Sequence, residues 1–300
     1  MRISNRNRGI FKYLCKKISR RYLRNASREY IKTKDQLVTF SFDFISQFIA
    51  IDGRFENQEL SLIEEIFSGK LGNMISLDIG ANIGNHTVAL SKFSKMVYAF
   101  EPNSLVFDVL KLNVRNLKNV KAFNFGASIT NQRIRAKVPL LNCGAGSASL
   151  DEKNIKANQF YETLFTLKSL DQSRMLLTKN IGLIKIDVEG HELQALKGMK
   201  NLLKKNKPVI LFEQNRGIFK QTSLEVDFMK SIGYKFLYEL VEVEKWITPK
   251  NMPKTFESIF RFLEVIIFGE PSGELKLKQI QALDKKSYDM LIFSFQPLEG

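Results

Sequence analysis

The sequence predicts an α/β protein built on a doubly wound, mostly parallel sheet. Strand-like and helical stretches alternate from about residue 74 to 243, the strands are short apolar runs, and the spans between them suit single helices. Strands joined through helices of about 10–15 residues make right-handed crossovers, and such crossovers build parallel sheets.

Each element follows from its residues. Between 36 and 67, Leu37, Phe40, Phe44 and Phe48, then Leu60, Ile63 and Phe67 after a break at Asp52-Gly53, keep helical spacing. MISLDI at about 74–79 is a strand that runs into a glycine-rich turn and a helix at about 84–94. MVYAFE is the second strand, followed by a helix at about 103–116, and VKAFNF is the third, ending at Gly126. From about 130 to 170 the alternating runs RIRAKV and ETLFTLKSL surround the small-residue loop NCGAGSAS, which reads as a β-rich insertion. A strand at about 182–188, a helix at 190–205, strand PVILFE, a helix near 221–232 and strand YKFLYELVEV follow. An irregular stretch with Pro253 and Pro271 precedes a last strand, YDMLIFSF, which is free to return antiparallel. The simplest organisation is one domain over 36–300 with a basic extension over 1–35.

The charge is concentrated in that extension. Of a net +15, residues 1–34 hold +11, twelve Lys and Arg against Glu29 alone. Ile10, Phe11, Leu14, Ile18 and Tyr22 recur among these cations at three- and four-residue spacing. Such a segment suits an anionic membrane surface or a nucleic-acid backbone, or it packs its apolar side on the domain. Cys15 and Cys143 make neither a disulfide framework nor a metal knuckle, and two distant histidines give zinc little to bind. No apolar run is long enough to span a bilayer, and no signal peptide is expected. A reducing cytoplasm is the expected location, with peripheral contact at the inner membrane surface through the tail as the alternative.

LDIGANIGNHT sets Asp78, Gly80, Asn82 and Gly84 between the first strand and its helix, where doubly wound folds bind nucleotides. Glycines at 80 and 84 allow a tight turn, and the helix start beyond offers free N–H groups. A dinucleotide fingerprint would need G-x-G-x-x-G; the middle glycine is missing and an acid precedes the first one. That disfavours a nicotinamide oxidoreductase. S-adenosylmethionine, with no phosphates and a cationic ammonium and sulfonium, suits Asp78 better, and Glu101 is placed to accept both ribose hydroxyls. Ala127 and Ser128, just past the third strand, are expected at the adenine edge.

IKIDVEGHE raises a sharper question, because Lys185, Asp187 and Glu189 share one face of a strand that should be apolar. The alternatives are a structural ion pair or wet edge strand, and a strand emptying into the ligand crevice at its C-terminal end. On the second, Asp187 and Glu189 face the methyl and its acceptor. His191, at the start of the next helix, stays neutral and serves as general base. His86 is read as pocket lining or a helix start. Lys185 is expected to pair with a carboxylate beneath the pocket.

DIGANIGNHT, AFEPN, IKIDVEGHE with LQALKG, and PVILFE together resemble the FkbM family of S-adenosylmethionine-dependent methyltransferases, over roughly Gly53 to Asn215. The resemblance implies a class I methyltransferase (Rossmann-like) fold, a seven-stranded sheet with an antiparallel last strand, and O-methylation of a hydroxyl on a sugar, glycan or secondary metabolite. Residues 1–35 and about 247–287 match no pattern of the family. A metal-free site is expected; the alternative has Asp187, Glu213 and Asn215 holding magnesium to activate the acceptor. Two rival functions stand beside this one. An RNA methyltransferase using the basic tail lacks the Asn/Asp-Pro-Pro-aromatic and Pro-Cys signatures of base methylases. An inactive cofactor-binding module is the other.

Overall fold

A computed structural model of the chain describes residues 17–18, 21, 37–40, 43–139, 160–213, 219–243, 254–268, 273–284, 288 and 290–298. Most of the basic extension, the NCGAGSAS loop, Gln214 and Asn215 lie outside these residues.

The helical stretch before the sheet is two helices, α1 (Phe44–Asp52) and α2 (Asn57–Phe67). Asp43 caps α1 by accepting from the Ser46 N–H, and Gly53 ends it at φ 82°. The predicted helix therefore begins at Phe44, not at 36. The alternating units follow as β1 (Ile75–Ile79), α3 (Asn85–Ser91), β2 (Met96–Phe100), α4 (Ser104–Val114) and β3 (Val120–Phe123). The insertion comprises β4 (Gly126–Ala127), β5 (Gln132–Pro139) and β6 (Phe160–Lys168), a three-stranded sheet around Ala136, Val138, Phe165 and Leu167. After the short α5 (Arg174–Leu177) come β7 (Ile181–Ile186), α6 (Glu192–Lys197), α7 (Lys200–Asn206), β8 (Val209–Glu213), α8 (Phe219–Ser231) and β9 (Phe236–Val243). The stretch predicted as one helix at 190–205 is split near Gly198, where the chain passes so close to the Ser128 carbonyl that a Cβ would run into it.

The last third corrects the sequence expectation. The stretch with Pro253 and Pro271 holds α9 (Lys254–Phe268) and β10 (Glu274–Ile280) before β11 (Met290–Ser294). The prolines stand outside both elements, and a proline just before a helix or beyond its end does not oppose it.

The main sheet runs β10-β9-β11-β8-β7-β1-β2-β3. From β8 to β3 all pairs are parallel, and β11 lies antiparallel between β8 and β9. The seven-stranded class I order is therefore present, with β10 added antiparallel at the edge. One face of β1, β7 and β8 (Leu77, Ile79, Ile184, Ile186, Ile210, Phe212) packs against α6, α7 and α8. The opposite face (Leu183, Leu211, Val97) packs against α2 and the α3 region.

That two-residue alternation positions the site. Asp78 is paired in register with Lys185, and Lys185 with Leu211, so Asp78, Lys185 and Glu213 all belong to the face covered by α2 and α3. The chain adds β2 and β3 on one side of β1, then returns to add β7 and β8 on the other. The ligand crevice of such a sheet lies where the order reverses, beyond the C-terminal ends of β1 and β7.

Two glycines at that switch point separate clash from backbone strain. Gly80 (φ 80°) faces the Asp187 carbonyl oxygen where a Cβ would sit, whereas Gly190 (φ 90°) has open space. Gly80→Ala is expected to destabilise the fold by about 3 kcal/mol or more. Gly190→Ala, with positive φ alone to oppose it, should cost about 1 kcal/mol. Urea unfolding of both variants checks the ranking.

Candidate active site

The glycine turn holds its shape through backbone bonds. The N–H groups of Gly80 and Ala81 both donate to Phe100 O at 3.0 Å, tying the end of β1 to the end of β2. Asn82 (φ 50°) and Gly84 (φ 99°) take left-handed conformations, and Gly84 caps α3. The Asn82 N–H donates to Glu101 Oε2 at 3.0 Å and the Asn103 N–H to Oε1 at 2.8 Å. Both oxygens of Glu101 are thus aimed by backbone donors. Burial pushes its carboxyl up to about 7, against the pull of those two N–H groups.

Asp78 is fully buried at the end of β1. Its Oδ2 accepts from Thr87 Oγ1 at 2.5 Å, while among the described residues Oδ1 has no hydrogen-bond partner. A buried carboxylate oxygen without a donor is costly, and it calls for a partner from outside the chain.

The charged strand resolves around Lys185. Its side chain is 3% exposed, and its ammonium donates to Asp187 Oδ2 at 3.0 Å and stands 3.9 Å from Glu213 Oε2. Burial lowers the Lys185 pKa by itself, but Asp187, Glu213, Asp78 and Glu56 together hold it above its ordinary value. The partner expected beneath the pocket is therefore the motif's own Asp187, at the rim. Burial and the neighbouring Asp187 raise Glu213 well above the usual carboxylate range. Asn215 of the magnesium alternative is outside the described residues, and the Lys185 ammonium lies 3.0 Å from Asp187 and 3.9 Å from Glu213, the other two ligands of that alternative.

Beyond Ile186 the chain leaves the sheet. The Asp187 N–H donates to Ile79 O at 3.0 Å, and Glu189 (φ 49°) and Gly190 (φ 90°) turn the backbone sharply. Burial, with Asp187 and Glu192 nearby, raises the Glu189 pKa to about 8. His191 sits at the N-cap of α6 with Nε2 3.0 Å from Ser128 Oγ. Its pKa is lowered, as the sequence suggests, but by burial.

The predicted residues thus fall into two groups. Asp78, Glu101, Asp187 and Glu189 converge on the crevice through mutual electrostatic contact and Lys185. His191 is joined to Ser128, which with Ala127 lies buried in and after β4. The insertion reaches the first group through Tyr161, whose hydroxyl accepts from Asn103 Nδ2 at 3.4 Å, beside Glu101.

Glu56 was not singled out from the sequence. It precedes α2 with φ 53°, and its Oε2 lies 3.3 Å from Nε2 of the buried His86, without hydrogen-bond alignment. It also acts electrostatically on Lys185 and Glu213. Only its place on the α2 side of the sheet brings it there. Thr87, the donor to Asp78, was missed too, although it lies nine residues on in the turn-helix unit.

The FkbM methyltransferase domain model matches residues 78–245, from the acid of the glycine turn to just past β9. The chain belongs to the FkbM methyltransferase family. It is 32% identical over 134 residues to the hexuronic acid methyltransferase AglP of Haloferax volcanii, covering 42% of this chain. The match spans half the length of that curated relative. Among solved structures, an FkbM methyltransferase from Methylobacillus flagellatus KT covers 91% of this chain and 58% of its own, at 15% identity and TM-score 0.42. The putative methyltransferase SMU.1697c of Streptococcus mutans, solved with SAH, covers 78% and 97% respectively, at 14% identity and TM-score 0.38.

Lys185→Met should leave buried carboxylates facing one another and cost about 3–5 kcal/mol in urea unfolding. Adding Glu213→Gln should recover part of that loss. The pH dependence has a defined sign. Glu101 and Glu189 hold protons more tightly folded than unfolded, so their contribution is greatest below the ordinary value of 4.5 and is lost as pH rises through about 7 and 8. Urea midpoints of the ligand-free protein should fall over that window, and fall less in Glu101→Gln.

Proposed function

We propose that the protein transfers a methyl group from S-adenosylmethionine to a hydroxyl of a sugar or glycan. The observation that carries the proposal is the pair of buried acids at the ends of β1 and β2: Asp78 with an unpartnered Oδ1, and Glu101 with both oxygens aimed by backbone N–H groups.

These residues fit the cofactor. An ammonium is the donor that would satisfy Asp78 Oδ1, and each Glu101 oxygen keeps a lone pair for a ribose hydroxyl. Gly80, Asn82 and Gly84 shape the turn between them, and Ala127 and Ser128 are assigned to the adenine edge. When bound, S-adenosylmethionine supplies a methyl group on a cationic sulfonium, open to in-line attack by an oxygen.

The chain's own groups supply position and a place for the acceptor's proton. Lys185 holds Asp187 at the rim beside Glu189, where the two border the acceptor. Near neutral pH Glu189 keeps its proton and can donate a hydrogen bond. His191 is assigned as the base: burial keeps its ring neutral, and with Nε2 engaged by Ser128, Nδ1 is the nitrogen left to take a proton. Support for a sugar acceptor comes from the relative named for a hexuronic acid. The same proposal places the chain in a reducing cytoplasm, in keeping with its cysteine usage.

Methyl-labelled S-adenosylmethionine, incubated with the enzyme and separated glycan, lipid, RNA and protein fractions, should label the glycan fraction. Label confined to RNA would contradict the acceptor class, and no turnover at all would favour an inert binding module. Glu101→Gln should weaken S-adenosylhomocysteine binding about tenfold or more by calorimetry. His191→Gln should lower kcat by about 10²-fold or more with that affinity retained.

A further inference from the structure

Helix α9 faces the wrong way for a helix of a soluble domain. Its sequence KTFESIFRFLEVIIF is strongly amphipathic, and such a helix ordinarily turns its apolar side to the core. Here Phe256, Ile259, Phe260, Phe262 and Leu263 are each between 44% and 65% exposed. Glu257 and Arg261, on the opposite side and joined by an ion pair at 2.5 Å, are the half-buried ones. Three phenylalanines within seven residues are thus presented outward from a single helix.

We propose that this face docks on an anionic lipid bilayer, with α9 lying flat in the headgroup region. Charge chooses that occupant over a protein. In sequence α9 carries Lys254 and Arg261 against Glu257 and Glu264, so the helix brings apolar surface without net charge. The same chain carries its +11 in residues 1–34. Apolar insertion and a polybasic segment are the two signals that together make peripheral attachment stable. No helix of the described residues is long and apolar enough to cross a membrane. The inference is independent of the methyl acceptor.

The test is co-sedimentation of the full chain with vesicles of phosphatidylcholine alone and of phosphatidylcholine with phosphatidylglycerol. Wild type should bind the anionic vesicles, and binding should weaken as salt rises. Phe256→Ser, Phe260→Ser and Leu263→Ser combined should lower vesicle affinity at least tenfold, with circular dichroism and thermal transition unchanged. Lys16→Glu, Lys17→Glu, Arg20→Glu and Arg21→Glu combined should reduce binding to anionic vesicles to the phosphatidylcholine level. Three results would overturn the proposal: wild type that ignores both vesicle types, triple-serine protein that binds like wild type, or sedimentation velocity showing a wild-type dimer that the serine variant splits. The last would make the face a contact between two copies of this chain.

Discussion

A single buried ammonium makes the site possible. Lys185 stands in a central strand at 3% exposure, where an unpaired charge would cost several kcal/mol. It is tolerated because Asp187 bonds it directly and Glu213, Asp78 and Glu56 surround it. The dependence runs both ways. Those carboxylates could not gather at the edge of one sheet without a cation among them, and burial first, then the neighbouring Asp187, raises Glu189 and Glu213. On the proposed function, these carboxylates would favour a cationic cofactor there.

The sheet supplies the geometry by simple parity. Alternate residues of β1, β7 and β8 present Asp78, Lys185 and Glu213 to the α2–α3 side, while Leu77, Ile79, Ile184, Ile186, Ile210 and Phe212 hold the other side together. Only at the C-terminal ends, where β1 and β7 meet at the reversal of strand order, does the charged face open toward a ligand. Gly80 keeps the two strand ends close enough for the Asp187 N–H to bond Ile79 O.

What could be read from the sequence was whatever a local pattern carries. Asp78, Gly80, Asn82, Gly84 and Glu101 lie at the ends of apolar runs, where an acid or glycine has no role in packing, and the βα alternation sets them at the ends of β1 and β2, where the structure has them. Lys185 announced itself as a charge in an apolar run with Asp187 two residues on along the same face, whereas its second carboxylate, Glu213, is set by the register of β7 with β8. Glu56 was invisible for a related reason: it joins the cluster across the fold from a helix start 22 residues before Asp78. His191 was legible as a residue, but its bond to Ser128 crosses 63 positions and depends on how the split near Gly198 lets α6 and α7 pass β4. The prolines flanking α9 and β10 concealed two regular elements, because in sequence a proline that borders an element looks the same as one that interrupts it.

The most direct test of this account is a crystal structure of the protein with S-adenosylhomocysteine, which keeps the amino group and the ribose of the cofactor. The account predicts the ammonium within hydrogen-bond distance of Asp78 Oδ1 and the two ribose hydroxyls donating to Glu101. A ligand bound elsewhere, or one in this crevice that leaves Asp78 Oδ1 unpartnered and Glu101 untouched, would contradict it.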